Sequence, residues 1–181
     1  QDTRSKYEQF SQELQLIGST AQFDYLLGVM YFDDEGEYTR NAVFAAPLSG
    51  KPPQRYENDT TSWAYYAHGS YRFGSLDDRL VLTGGLRYTT EDKGIVYDYG
   101  AFLTPFASVP AMATSLDDSF DNLSYDGSLT YHFTDTFNAF VRYATGYRSG
   151  GFNGEVFANS YDEETVDQWE IGMKSEWLGR R

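Results

Sequence analysis

The sequence predicts an all-β protein: an antiparallel up-and-down transmembrane β-barrel, present here as a partial barrel of about seven strands. Three observations predict it. Seven segments alternate apolar and polar residues with period two. The connections between them alternate strictly between short and long. Aromatic residues gather near segment ends, where an interfacial girdle sits in such a barrel.

The segments follow in order. In the first, Phe10, Leu14 and Leu16 oppose Gln9, Ser11, Glu13 and Gln15. The second puts Phe23, Tyr25, Leu27, Val29 and Tyr31 on one face, with Asp24 and Gly28 opposite, mixed with Leu26 and Met30. The third sets Trp63, Tyr65, Tyr71 and Phe73 against Ser62, His68, Ser70 and Arg72. The fourth sets Leu80, Leu82, Leu86 and Tyr88 against Thr83, Gly85 and Arg87. The fifth sets Leu123, Tyr125, Leu129, Tyr131 and Phe133 against Ser124, Asp126, Ser128 and His132. The sixth sets Phe137, Ala139, Val141 and Tyr143 against Asn138 and Arg142. In the seventh, Trp169, Ile171 and Met173 oppose Gln168, Glu170 and Lys174. The apolar positions carry no charge, as lipid requires: Arg or Lys facing the bilayer midplane costs about 2–4 kcal/mol.

Alternation alone does not separate a lipid-embedded barrel from a soluble sandwich; the connections favour the barrel. Short links at 18–22, 74–78 and 134–136 alternate with long ones at 33–60, 91–119 and 149–164. Outer-membrane barrels have tight turns on the periplasmic side and long loops outside. The turn-rich string "LSGKPPQRY" falls in the first long loop. Ten residues at about 3.3 Å each, tilted near 40°, cross an apolar band about 25 Å tall.

Composition agrees. The chain has 181 residues, 16 Tyr, 13 Phe and no cysteine, which removes disulfides and thiolate chemistry. A net charge of −13 argues against a nucleic-acid partner. A mean hydropathy of −0.56 is no obstacle to a barrel, because alternating faces average out. The start "QDTRSKYEQF" reads as neither a signal peptide nor an initiating end, so a fragment is expected.

Signals for chemistry are weak. His68 and His132 lie in polar phase; the first reads as a wall residue and the second as a turn residue. "DDEGE" at Asp33–Glu37 and "DEE" at Asp162–Glu164 read as solvated acidic loops without calcium-loop spacing. Catalytic, cofactor and metal residues are therefore expected to be absent, and the ligand-binding residues are not assigned. "YRSGGFN" at Tyr147–Asn153 is the most specific string. Gly150 and Gly151 are expected to supply positive φ where the strand leaves the membrane, with Phe152 anchoring the loop.

The run "YATGYRSGGFN…YDEETVDQWEIGMKSEW" resembles the late barrel region of TonB-dependent outer-membrane receptors. The residues that carry the resemblance include Gly150, Gly151, Phe152, Asn153, Glu170, Gly172 and Lys174. "FSQELQL" and "LTGGLRYTTEDK" agree with it earlier in the chain, while Asp162 and Glu163 stand near where the family often has Pro. The resemblance implies that residues 1–181 are part of a 22-stranded barrel whose lumen holds a plug, with plug and signal peptide outside this fragment. It implies an active-transport receptor in the outer membrane of a Gram-negative bacterium. Such a receptor binds a scarce, bulky ligand, typically a ferric siderophore for iron transport, haem, cobalamin or a glycan, which energy from the TonB complex drives past the plug. Lipid and lipopolysaccharide would surround it, and no enzyme activity is implied. Arg72, Arg87 and Arg142, on the polar faces, are candidates either for plug contact or for neutralising wall carboxylates. Two other readings remain at this stage: a secreted soluble β-module that binds glycans through its aromatics, and a barrel enzyme built around His68.

Overall fold

The computed structural model describes residues 2–41, 54–103 and 108–177. Seven long strands make one sheet: β1 (Asp2–Ser19), β2 (Phe23–Asn41), β3 (Gln54–Arg72), β4 (Leu80–Tyr99), β7 (Met112–Thr134), β8 (Phe137–Arg148) and β11 (Glu164–Ser175). Two small ribbons lie in the connections: β5 (Phe102–Leu103) with β6 (Ser108–Val109), and β9 (Gly151–Phe152) with β10 (Ser160–Tyr161). The long strands pair in the order β1-β2-β3-β4-β7-β8-β11, each antiparallel to its neighbour. This is an up-and-down meander, the wall of a barrel that is not closed here.

Register keeps each face coherent across the sheet. Leu82, Leu129, Val141 and Ile171 face one another in turn across β4, β7, β8 and β11. Leu14, Val29, Tyr65, Tyr88 and Leu123 do the same from β1 to β7. A slip of one residue would turn all of them to the polar side. Among the described residues nothing covers this apolar face: Leu14 is 71% exposed, Leu86 55% and Ile171 85%. A sandwich would bury such a face against a second sheet. An uncovered, charge-free apolar face is what lipid solvates.

Two aromatic rows bound the apolar band. Near the short turns lie Phe23 with Tyr25, Tyr71 with Phe73, and Phe133 with both Tyr131 and Phe137, at centroid separations of 4.8–5.9 Å. Toward the other end, Phe10, Tyr31, Trp63 and Tyr65 form a chain of ring contacts; Tyr125, Tyr143 and Trp169 form another. From Phe23 to Tyr31 the strand advances about 26 Å, or about 20 Å along a normal tilted 40° from it. Hydroxyls of this row reach the carboxylates beyond the band: Tyr31 donates to Asp33 at 3.1 Å and Tyr143 to Asp167 at 2.8 Å. Rings sit in the apolar layer and their polar tips in the wet one.

The short links are tight turns. In the β3–β4 turn, Asp77 and Asp78 take φ of 53° and 58° after a single 3-10 turn. In the β7–β8 turn, Thr134 Oγ1 accepts the Thr136 N–H at 3.2 Å. His132, expected in that turn, pairs with Asn138 just ahead of the bulge that starts it.

The long links differ from expectation. The strands run well past the membrane band and reach 23 residues in β7. The acidic run Asp33–Glu37 lies in β2, paired with β1 and β3, and is not a loop. Of "LSGKPPQRY", residues 48–53 lie outside the described residues, and Gln54–Tyr56 open β3. The physical reason is simple. Beyond the bilayer both strand faces meet water or protein, so the lipid-driven alternation ends while the backbone ladder continues.

Candidate functional site

The inner face is the polar one, in phase with Arg87 and Glu170. Within the membrane band it forms a wall of cross-strand contacts. Arg72 grips Asp24 of β2 with both terminal guanidinium nitrogens, Nη1 at 2.5 Å and Nη2 at 3.3 Å. Arg87 donates Nε to Thr89 Oγ1 at 3.1 Å and lies 5.8 Å over the Tyr66 ring. Tyr66 in turn donates to Glu13 and accepts from Gln15 at 2.9 Å. Arg142 stands between Ser128 and Glu170 in register. The three candidate arginines thus share one face, but they are spread over β3, β4 and β8 and are not gathered into a cluster. His68 and Asp126 approach each other over Gly85, where a Cβ would lie 2.7 Å from Asp126 Oδ1 and 3.0 Å from His68 Cδ2.

The motif residues of β11 also lie on the inner face and have mechanical roles. Gly172 leaves room for the Phe140 ring, which a Cβ there would meet at 2.5 Å. Lys174 Nζ covers the same ring at 5.3 Å from its centroid. Glu170 faces Arg142.

Beyond the band the inner face changes character. Ile95, Tyr97 and Tyr99 of β4 are buried, Tyr97 completely. They are in phase with Arg87, so they point inward. Their cover is the chain between β8 and β11, which arches across the inner side of the wall. Phe152 and Phe157 pack on these residues together with Tyr56, Met112 and Leu116. Phe157 lies 5.6 Å from Tyr97 and 5.3 Å from Tyr99 between ring centroids. Four donors from the wall hold the backbone of this segment. Lys93 Nζ donates to Ser149 Oγ at 2.5 Å and to the Gly150 carbonyl at 3.1 Å. Tyr97 donates to the Asn153 carbonyl at 2.9 Å, Tyr99 to that of Gly154 at 2.9 Å, and Gln54 to that of Glu155 at 3.3 Å. Burial pushes the hydroxyls of Tyr97 and Tyr99 above the usual phenol range. Burial, with Glu91 next in weight, pushes Tyr147 up to about 12.

The glycines of "YRSGGFN" act differently from expectation. Neither Gly150 nor Gly151 has a positive φ; what they supply is close approach. A Cβ on Gly150 would stand 2.6 Å from both the Phe120 ring and the Tyr161 carbonyl oxygen. One on Gly151 would stand 2.9 Å from the Tyr161 hydroxyl. Phe152 anchors the segment as expected.

The sequence reading passed over Lys93, Tyr97, Tyr99 and Phe157. A signal existed: the apolar phase on β4 inverts, from Leu80–Tyr88 at even positions to Ile95, Tyr97 and Tyr99 at odd ones. An inversion of that kind marks the point where a strand leaves lipid and something covers its inner side.

An antiparallel meander with an uncovered greasy face, bounded by aromatic rows and backed by a charged inner wall, defines a transmembrane β-barrel segment. The sequence matches the family described as "TonB dependent receptor-like, beta-barrel" over residues 1–181, and the chain belongs to that family. Among solved structures it is similar to the ferric yersiniabactin uptake receptor FyuA from Yersinia pestis. The TM-score is 0.77 at 19% identity, covering 96% of this chain and 27% of that one. It is similar to the siderophore receptor PiuA from Acinetobacter baumannii, with a TM-score of 0.71 at 16% identity, covering 98% and 30%. It is also similar to the closed form of the ferric-catecholate import receptor Fiu from E. coli K12, with 0.68 at 18%, covering 99% and 30%. The chain thus spans about 27–30% of the length of these receptors, and at such identities the likeness is one of fold.

Proposed function

We propose that this chain is part of an outer-membrane active-transport receptor of a Gram-negative bacterium. The receptor binds a scarce ligand, a ferric siderophore, and passes it through a plugged barrel with energy from the TonB complex. The observation that carries the reading is membership of the TonB-dependent receptor-like barrel family along the whole chain. The solved structures of like fold, which are siderophore and iron-chelate receptors by name, support the ligand class. The receptor does no chemistry on its cargo. Residues 1–181 contribute wall to the barrel domain, with lipid and lipopolysaccharide against the face of Leu86 and Ile171.

On the inner face, Arg87 and Arg142 are the arginines we assign to plug carboxylates. Arg72 already has Asp24 as its wall partner, so its contact with a plug is secondary.

The test uses the full-length receptor in a Gram-negative host stripped of its own siderophore receptors. Radioactive iron is supplied on catecholate, hydroxamate and mixed phenolate chelates. Uptake of at least one chelate, lost when TonB is deleted, supports the reading. No uptake of any chelate by a receptor correctly placed in the outer membrane overturns it. Arg87→Ala and Arg142→Ala should weaken uptake or raise permeability to large antibiotics; wild-type behaviour in both assays removes the plug role.

A further inference from the structure

We propose that residues 149–163 form a fixed inner strap of the barrel's outer mouth, held against the wall by Lys93 as its positioning residue, and that the strap stays docked while cargo passes. The docking rests on contacts within this chain. Only its persistence during transport rests on the receptor reading.

The strap has two sides. Toward the wall it turns Phe152 and Phe157 onto the Tyr97 and Tyr99 rings. Away from the wall it exposes Asn153, Glu155 and Val156. It is also internally organised: Asn153 N–H donates to the Asn159 carbonyl at 2.9 Å, Asn153 Oδ1 accepts the Glu155 N–H at 3.0 Å, and Ala158 turns with φ of 52°. These contacts tie residues 153–159 into one turn-built unit.

Lys93 is the link at its root. Its side chain is four-fifths buried, with the ammonium bonded to Ser149 and Gly150, 3.9 Å from Glu91 and 5.8 Å above the Phe120 ring. A withdrawing strap would strip acceptors from Lys93, Gln54, Tyr97 and Tyr99 together and uncover a fully buried tyrosine. Each bond would be exchanged for one to water at a modest cost, and the packed rings of Phe152, Phe157, Tyr97 and Tyr99 would return to water; together these oppose that movement. The strands flanking the strap, β8 and β11, pair up to Arg148 and Glu164, so its ends have no slack.

The test uses the full-length receptor in liposomes of phosphatidylethanolamine and phosphatidylglycerol. A nitroxide is attached at Val156→Cys, on the open side of the strap; the 181 residues hold no other cysteine, and any elsewhere are replaced. An immobilised label in the otherwise unaltered receptor is expected, with mobility rising in Lys93→Met and again with Tyr97→Phe and Tyr99→Phe added. A label as mobile without these changes as with them overturns the docking.

A second arm uses Lys93→Cys with Ser149→Cys, joined by a bifunctional methanethiosulfonate about as long as the lysine it replaces. Iron uptake on the same chelate panel is expected to be equal to wild type with the cross-link in place. Uptake that stops on cross-linking and returns on reduction makes the strap a moving gate and overturns the proposal. If the wild-type receptor takes up none of the panel, the receptor reading falls. The strap is then judged by the label, which needs no ligand.

Discussion

The ring of Tyr66 rests on Gly28, so closely that a Cβ at Gly28 would stand inside the phenol. Lying flat there, the ring crosses β2 and delivers its hydroxyl to Glu13 and Gln15 on β1. One side chain thus joins three strands. Gly28→Ala should lift the ring and cost about 1–3 kcal/mol by overpacking. Tyr66→Phe keeps the ring and loses the hydroxyl's bonds, at a smaller cost. Urea unfolding of the full-length receptor in liposomes measures both. In a Tyr66→Ala background the Gly28→Ala penalty should largely vanish, and a penalty of the same size would mean that the ring is not what Gly28 serves.

Arg72 and Asp24 form a close ion pair at the short-turn end of the wall, 2.5 Å between Nη1 and Oδ2. Both side chains are a third or more exposed, so water screens them. A double-mutant cycle with Arg72→Met and Asp24→Asn should therefore return only the small coupling of a solvated pair, shrinking in high salt. A coupling several times larger, insensitive to salt, would place the pair in a dry environment and contradict a wet inner face.

The outward assignment of the apolar face has an optical test. Trp63, Trp169 and Trp177 are the chain's three tryptophans, all exposed. Trp63 and Trp169 belong to the outer aromatic row, and Trp177 follows the end of β11 near the β7–β8 turn. In liposomes containing brominated acyl chains, each of the three, kept as the only tryptophan of the full-length receptor, should be strongly quenched. Aqueous iodide should quench them weakly. The reverse order would turn the sheet inside out.

Legibility of the fold followed the solvent. Where lipid touches one face and water the other, period-two alternation is forced, and the seven strands, their phase and their turns could be read from residues such as Leu82, Arg87 and Ile171. Past the bilayer that forcing ends. Asp33–Glu37 carry charges on both faces and read as loop, although backbone pairing keeps them in β2. The strap was recognisable as a motif but not as a docked element. Its partners on β3 and β4 lie 50 or more residues away, and the contacts run from tyrosine hydroxyls to backbone carbonyls that any residue supplies. The glycine pair stands out in the sequence, but the reason for it does not. A close approach to Phe120 and Tyr161 is a property of the folded neighbours and leaves no trace in the local sequence.

Alkaline pH should loosen the strap. Tyr97, Tyr99 and Tyr147 all have folded-state phenols raised above the ordinary value of about 10, by burial first. For a group raised in the folded state, the contribution to docking is complete below the unfolded value and is lost as pH climbs through the folded one. The window therefore opens near pH 10 and, for Tyr147, extends to about 12. Tyrosinate absorbance of the full-length receptor should lag behind that of the unfolded chain across this range. The lag should shrink in the Tyr97→Phe/Tyr99→Phe variant. Coincident titration of folded and unfolded protein would show that these hydroxyls are not buried.

Gly150→Ala separates the two reasons for a glycine. If positive φ were needed, the cost would be conformational and indifferent to neighbours. Because φ is ordinary and the approach is close, the cost should be steric, about 1–3 kcal/mol against Phe120 and the Tyr161 carbonyl. Phe120→Ala should relieve part of it by removing the ring. It should not relieve all of it, because the Tyr161 oxygen belongs to the backbone and retreats only if the β9–β10 ribbon shifts. Gly151→Ala meets only the hydroxyl end of a side chain at 2.9 Å, which can swing away, so its effect should be smaller. Hydrogen exchange of the strap amides, read by mass spectrometry on the full-length receptor, ranks the variants. Exchange should be fastest in Gly150→Ala, intermediate in Gly150→Ala/Phe120→Ala, and slowest in Gly151→Ala. Equal protection in all three would mean that the glycines are not where the strap fits the wall.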